Sequence, residues 1–440
     1  MVPTPTQFHH YIPRFILKSF AENFLLKHSN SEFIADSSSI FKPTSPSGVQ
    51  PGGSSRGKGS SGRGNRGGAV GGAGRGGHQG GTGQAPFRYL SYHINVYRVK
   101  DHTTELSDIK RAYGVTDMYR DITADDEMKC EKLLGNLEST SATFIRKIWS
   151  GEDLSLTRSQ LADMKKFLCI MMYRGENRRG QYYNMQFDLE TLTSVKRHMV
   201  HNNIKKVQDV WFDNLKWLVE TPVSGIVEEF KKALNITPKN PVAIALQYKG
   251  PIHVLELLDF GQMANNYVCI WEAEEGSEFI LSEGCFGAYE GHMGVAFHNF
   301  FIVSPRYAIV LVNRLYMWNM MDRLPFRKSW FGEELHANPD TVYVNGPLPT
   351  DIADVVHSDF SPNDVFKYRR IVVPKKDVFT VNGIFLDART KYLTYKSRAS
   401  MYKSLRFYDK VKKDNMFETQ HDYSILKRKL FADLNRTHSS

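Results

Sequence analysis

The sequence predicts an α+β fold, with helices in the majority and a modest mixed or antiparallel sheet in the C-terminal half. Three observations lead there. Met128 to Trp149 and Leu154 to Tyr173 repeat apolar side chains at helical spacing. Beyond about residue 264 the pattern changes to short runs rich in β-branched and aromatic residues, the composition of strands. The chain then turns helical again, over about Ala399 to Tyr408 and Tyr423 to Leu434.

The elements follow in order. The opening run Phe8-His9-His10-Tyr11-Ile12-Pro13-Arg14-Phe15-Ile16-Leu17-Lys18-Ser19-Phe20 carries two histidines, an arginine and four aromatics. A surface tail has no need of that aromatic density, so residues 1–26 are expected to dock on a body further along the chain. Residues 27–86 are expected to be disordered, Ser/Pro-rich first and Gly/Arg-rich after. Sixteen of the 33 glycines lie between Gly52 and Gly83, and such a stretch buries too little apolar surface to offset chain entropy. The main domain is expected over 87–436. Tyr92 to Val99 alternates and reads as a strand. In the first long helix Leu134, Glu138, Ser141, Ile145 and Ile148 share one face. In the second, Leu161, Met164, Phe167, Leu168 and Met171 do the same, with Thr157 as N-cap. Two or three more helices are expected between Gln186 and Ala264, with turns near Pro222 and Pro238. Strands are expected over Tyr267–Trp271, Glu278–Leu281, Phe300–Val303 and Ala308–Val312, with more over Ile371–Val373 and Val378–Leu386. No internal repeat of solenoid period is present.

Composition narrows the function classes. The chain has 440 residues, 41% of them hydrophobic, so a sizeable core can form. The net charge of +10 raises the prior for an anionic partner. Half of that excess is local, from Arg56, Lys58, Arg63, Arg66 and Arg75, with no acidic residue between Pro51 and Gly83. Cys130, Cys169, Cys269 and Cys285 show no CxxC spacing, so neither a zinc site nor a disulfide framework is indicated. The expectation is a soluble intracellular protein, cytoplasmic or nuclear. No secretory signal is visible, and the longest apolar stretch, Phe297 to Val312, is broken by His298, Asn299, Pro305 and Arg306. No motif names a cofactor or a metal.

Several blocks together resemble DUF4238, a family of unknown function found in bacteria and fungi. They are His9-His10-Tyr11-Ile12-Pro13-Arg14-Phe15, Ile94-Asn95-Val96-Tyr97, Leu137-Glu138, and Met172-Tyr173-Arg174 through Arg178. Phe279-Ile280-Leu281-Ser282-Glu283 and Phe297 through Arg306 complete the set. The chain departs from the family at the Gly/Arg tract, and at Ser282-Glu283-Gly284, where the family has S-D-N. The resemblance implies a shared fold and a shared site, not a reaction.

The candidate residues each have a bland reading beside a functional one. Glu138 puts a carboxylate on an apolar stripe, where a charge is costly unless paired. It is either a catalytic acid or half of a structural ion pair. Arg174 and Arg178 continue an apolar helix face; against a single Glu, one rigid fork is expected to remain uncommitted and suited to a carboxylate or a phosphate. Glu138 and Arg174 are expected to face each other between the two helices as the floor of one shared site, without direct contact. Antiparallel helices joined near Gly151 would set Glu138 beside Lys165 and Lys166, a mismatch of about 11 Å. His9 is a candidate general base, otherwise one satisfied histidine of a docked strand. Arg14 is expected to pair with a carboxylate of the body or to hold an anion. Ser282 and Glu283 follow a strand, as a functional loop or as a capped turn. Arg56, Arg63, Arg66 and Arg75 are compatible with weak, non-specific nucleic-acid binding.

Three readings stay open. The first is an enzyme acting on a nucleic-acid or other phosphate substrate through His9, Glu138 and Glu283, with Arg14, Arg174, Arg178 and Ser282 binding the anion. The second is a nucleic-acid- or nucleotide-binding module. The third is an interaction protein whose polar cluster is structural.

Overall fold

A computed structural model describes residues 6–22, 91–122, 124–237, 244, 247–292, 294–314, 328–336, 342–343, 365–388, 390–412, 417 and 421–438. The insertion expected over 27–86, with Arg56, Arg63, Arg66 and Arg75, lies wholly outside the described residues, as does the turn expected near Pro238.

The described chain opens with β1 (Phe8–His10) and the short helix α1 (Arg14–Ser19). Next come β2 (His93–Arg98), β3 (Thr103–Asp108) and β4 (Gly114–Thr116). A helical stretch follows: α2 (Lys129–Trp149), then β5 (Leu154–Thr157), then α3 (Arg158–Arg174) and α4 (Glu176–Tyr183). It continues through α5 (Leu189–His201), α6 (Val207–Glu220), α7 (Val223–Leu234) and α8 (Val254–Asn265). Strands then take over, as β6 (Tyr267–Ala273), β7 (Leu281–Ser282), β8 (Phe286–His292), β9 (Val295–Ile302) and β10 (Tyr307–Val312). The remainder is α9 (Glu333–His336), β11 (Val342–Tyr343), β12 (Val365–Tyr368), β13 (Arg370–Val373), α10 (Lys375–Asp387), β14 (Tyr392–Tyr395), α11 (Arg398–Lys412) and α12 (Ser424–His438).

The fold is α+β with helix predominant, and the largest sheet is mixed and lies in the C-terminal half, in the order β13-β6-β10-β9-β8. Only β13 runs parallel to its neighbour; the rest is antiparallel. All six residues of β10 are buried, so this central strand reads as a continuous apolar run rather than an alternation. A second sheet, β3-β2-β14-β7, joins the first strands after residue 90 to one near the C-terminus. No described helix is long and apolar enough to cross a membrane.

Two expected elements change character. Val378–Leu386 is helical, inside α10, because its apolar residues are buried on nearly every side and a run of that kind carries no period. Pro374 precedes the helix and fixes its start. Glu278–Leu281 is largely irregular, and only Leu281 and Ser282 pair, with Thr394 and Leu393 of β14. Thr157 does cap α3: its hydroxyl accepts from Gln160 N while the Gln160 side chain accepts from Thr157 N, a complete capping box. The four residues before it form β5 and not the first turn of the helix. That strand, pairing with β12, lengthens the connection from α2 to α3.

Candidate functional site

The opening segment reaches its place through a strand that only glycine permits. His10 of β1 pairs with Gly114 of β4, where a Cβ would come within 2.3 Å of His9 O. The residues flanking β4, Tyr113 and Asp117, both take φ 53°, a left-handed conformation uncommon outside glycine. Each gains a bond to the segment. Tyr113 O accepts from Tyr11 N at 3.0 Å, and Asp117 Oδ1 accepts from Gln7 N at 3.0 Å. Behind the strand, Ile12, Ile16, Leu17 and Phe20 are buried at 1% exposure or less.

Arg174 lies against this segment, 1% exposed. Its Nε donates to Tyr11 O at 3.2 Å, and its guanidinium stands over the Tyr119 ring at 6.0 Å. One terminal nitrogen lies 2.6 Å from Glu138 Oε1. The direct pair, against expectation, follows from the connection. Eight residues, with β5 among them, separate Trp149 from Arg158, and they let α3 shift along α2 by the turn or so that a tight link would forbid. Glu138 is 24% exposed at its side chain and thus sits at the edge of its stripe, reached by water.

The two histidines are held neutral, and each is tied on one side. His9 is 2% exposed and stacks on Tyr119 with ring centroids 5.3 Å apart. Its Nδ1 accepts from Tyr119 N at 3.0 Å, which leaves the proton of the neutral ring on Nε2. Burial lowers its pKa. His10 Nε2 donates to Ile109 O at 2.9 Å. Burial, with Arg14, Arg174 and His9 nearby, outweighs that bond and pushes the His10 pKa down to about 4. Tyr119 closes the group, its hydroxyl donating to His10 O at 3.3 Å.

The remaining expected residues fall elsewhere. The Glu283 carboxylate is 4% exposed and saturated: it accepts from Thr390 Oγ1, from Lys391 N at 3.1 Å and from Tyr392 N at 3.2 Å. It anchors the approach to β14; burial still raises its pKa. Lys391 ties the same corner to α4 through Glu176, 2.8 Å away. Ser282 is fully buried, and its Oγ accepts from Gly284 N at 3.2 Å, a turn cap. Arg178 is not the free fork of the sequence reading. It pairs with Asp259, lies 3.5 Å from Glu256 and donates to Gln181 at 3.3 Å. Arg14 has no carboxylate partner among the described residues, contrary to the pairing expected of it, and its Nε is buried without a hydrogen bond. His9, Arg14, Glu138 and Arg174 are thus gathered around the opening segment, while Glu283, Ser282 and Arg178 are each engaged apart from it. Among the described residues no three His, Cys, Asp or Glu side chains converge as a metal set.

One group escaped the sequence reading. Glu131 stands two helical turns before Glu138 on the same face of α2. Burial and the neighbouring Glu138 push its pKa up to about 7. The spacing of seven residues was the available signal. It was missed because the apolar stripe begins only at Leu134. Lys165 and Lys166, expected near Glu138, instead cap helix ends: Lys165 donates to Ala264 O and Asn266 O at 2.6 and 2.8 Å, and Lys166 to Val219 O and Thr221 O at 3.1 and 2.7 Å.

No curated protein and no solved structure matches the chain. The family model described as "Protein of unknown function (DUF4238)" matches residues 9–399, from the first histidine of the opening segment to α11, and the chain belongs to that family.

Proposed function

We propose that the protein binds an anion rich in hydrogen-bond acceptors, a phosphate group above all, against its opening segment. One observation carries the reading. The buried polar atoms left without a hydrogen bond on that segment are both donors: His9 Nε2 and Arg14 Nε. Arg174, packed against the segment, is by contrast held by Glu138 at 2.6 Å. A buried donor without an acceptor costs about 1–3 kcal/mol, and more when charged. The deficit is of acceptors only, and a phosphate oxygen supplies them.

The same bonding favours a binding role for His9. Its lone pair is used on Tyr119 N, so it offers an N–H and not a base. Glu283, with its oxygens occupied by Thr390, Lys391 and Tyr392, acts as an anchor. Enzymatic phosphate chemistry through His9, Glu138 and Glu283 is therefore the weaker form of the proposal, and a phosphate-binding site the stronger.

Calorimetric titration of the full chain with inorganic phosphate and pyrophosphate tests it, with Arg14→Met as the comparison. Loss of a charged hydrogen bond of about 1.5–3 kcal/mol predicts binding at least tenfold weaker in the variant. Equal affinities, or no heat from the wild-type chain at millimolar ligand, sink the reading. A separate, sequence-independent affinity for nucleic acid is proposed for the Gly/Arg tract, from its five cations without a counter-charge.

A further inference from the structure

We propose that Glu131 is a proton-exchanging carboxyl of this cluster, and that its protonated form is the state that admits the anion. The inference rests on the anion-site reading and adds to it the group that governs occupancy. The geometry comes first. Glu131 and Glu138 are seven residues apart on α2, which puts their carboxyls on one face about 10.5 Å apart along the axis. Among the described residues one guanidinium, that of Arg174, serves that face, and Glu138 holds it at 2.6 Å. Glu131 is half-buried, and among the described residues it has neither an ion-pair partner within reach nor a hydrogen bond. A carboxyl taken out of water with no compensating donor favours its neutral form. The pKa of about 7 is what that environment produces, burial first, the Glu138 charge second, with Arg174 opposing.

The groups facing it are few. Glu138 and Cys130 share its helix. Arg174 comes from α3, and Tyr119, whose hydroxyl is held neutral by burial, comes from the loop after β4. On α6, Lys216 and Glu220 face Cys130; Lys216 is bonded to Asp121, and Glu220 pairs with Lys129. No cation beyond Arg174 is close enough to be counted among the causes of the Glu131 shift. When Glu131 is protonated, the guanidiniums of Arg14 and Arg174 stand against the single carboxylate of Glu138 and the cluster is net positive. When it ionises, that excess charge is cancelled and its pull on an anion is lost. Binding and proton uptake are then linked, and the linkage is reciprocal.

The test has two arms, run on the full chain and on Glu131→Gln, with Glu131→Asp as a second variant should the first lose its fold. In the first arm no ligand is present. The folded-state pKa of Glu131 is raised above its unfolded value of about 4.5, so stability from this group is full below about 4.5 and is lost as pH rises toward 7. Glu131→Gln should therefore melt at a higher temperature than the wild type above pH 7, and the gap should shrink toward pH 4.5. Parallel melting curves across that range overturn the proposal.

The second arm titrates sulfate, whose charge is constant between pH 5.5 and 8.5. Wild-type affinity should fall about tenfold between pH 6 and pH 8, the size of one added charge in a partly screened site. Glu131→Gln should bind with no such slope. An equal slope in both proteins overturns the coupling. Sulfate binding by neither protein at any pH overturns the anion reading and the coupling with it, while the first arm decides the titration of Glu131 by itself.

Discussion

Arg174 and Arg178 are one helical turn apart in sequence and read alike, yet they end in opposite circumstances. Arg178 turns to α8, where Asp259 and Glu256 take its charge. Tyr182 donates to Glu256 at 2.5 Å, and the other oxygen of Glu256, an acceptor without a hydrogen bond, faces the Arg178 cation at 3.5 Å. Arg174 turns to the opening segment and finds one part-exposed carboxylate and a main-chain carbonyl, beside the unbonded donors His9 Nε2 and Arg14 Nε. A break at Gly175, which ends α3 and starts α4, lets the two side chains diverge. Burial alone therefore does not mark a site. Under the proposed function, the kind of atom left unbonded, donor or acceptor, is what separates a brace from an anion site.

The largest effect should come from removing the floor of the open cluster. A chain lacking residues 1–20 loses Ile12, Ile16, Leu17 and Phe20 from the core, each worth about 1.5–3 kcal/mol. Even discounted for residual burial in the unfolded chain, a fall in melting temperature of about 10 °C is expected. Replacing residues 30–84 by a dozen-residue Gly/Ser linker should change it little, since loop closure costs only about 0.6 kcal/mol per doubling of length. Equal losses from the two variants would break the idea that the segment belongs to the folded body.

The closed cluster comes next. Arg178→Met leaves Glu256 buried beside Asp259 without its cation, a loss of about 3–5 kcal/mol by denaturant unfolding. Arg174→Met should cost less, about 2 kcal/mol, because Glu138 at 24% exposure can be hydrated. In a double-mutant cycle with Glu138→Gln a coupling near 1 kcal/mol is expected. A larger loss at Arg174 than at Arg178 reverses the comparison.

Acid distinguishes the regions further. His253, near the closed cluster, accepts from or donates to Ser194 Oγ at 3.0 Å and is 1% exposed. Burial first, then His198 and Arg178, lowers its pKa to about 3. Above about pH 6.5 it is neutral folded and unfolded alike. Below that the unfolded chain takes a proton that the folded one refuses, so stability falls with pH. The loss should reach about 3 kcal/mol by pH 4, at 1.36 kcal/mol per unit. His253→Gln should flatten this acid limb, and an unchanged limb would assign it to other groups. The smallest effect concerns the tract. Its five cations allow a salt slope of at most about −4 on single strands, lost when residues 51–83 are removed. An undiminished slope would move the affinity to the body.

Much of the fold was legible because its signals are local. The long helices, the Thr157 cap and the buried strand β10 are written in periodicity and composition over a few residues. Val378–Leu386 was misread as strand because a helix buried on most sides shows no stripe. The site was legible as a set of residues and not as a set of contacts. Glu138 and Arg174 were singled out, but their pairing depended on β5 lengthening a connection, a non-local event fixed by β12 some two hundred residues later. The saturation of Glu283 was equally hidden, since its partners Thr390, Lys391 and Tyr392 are more than a hundred positions away.

The sheet β3-β2-β14-β7 has a bearing on how the molecule is made. Strand β2 leaves the ribosome well before β14, whose Tyr392 follows its partner Arg98 by 294 positions (392 − 98). At roughly 5–20 residues per second, that interval lasts about 15–60 s. Until it ends, the hairpin of β2 and β3 presents an unpaired edge, with Ile94, Val96 and Tyr97 lacking the cover they have in the finished core. Over that interval the open edge can pair with another chain, so the rate at which β14 arrives sets the exposure of the hairpin to aggregation.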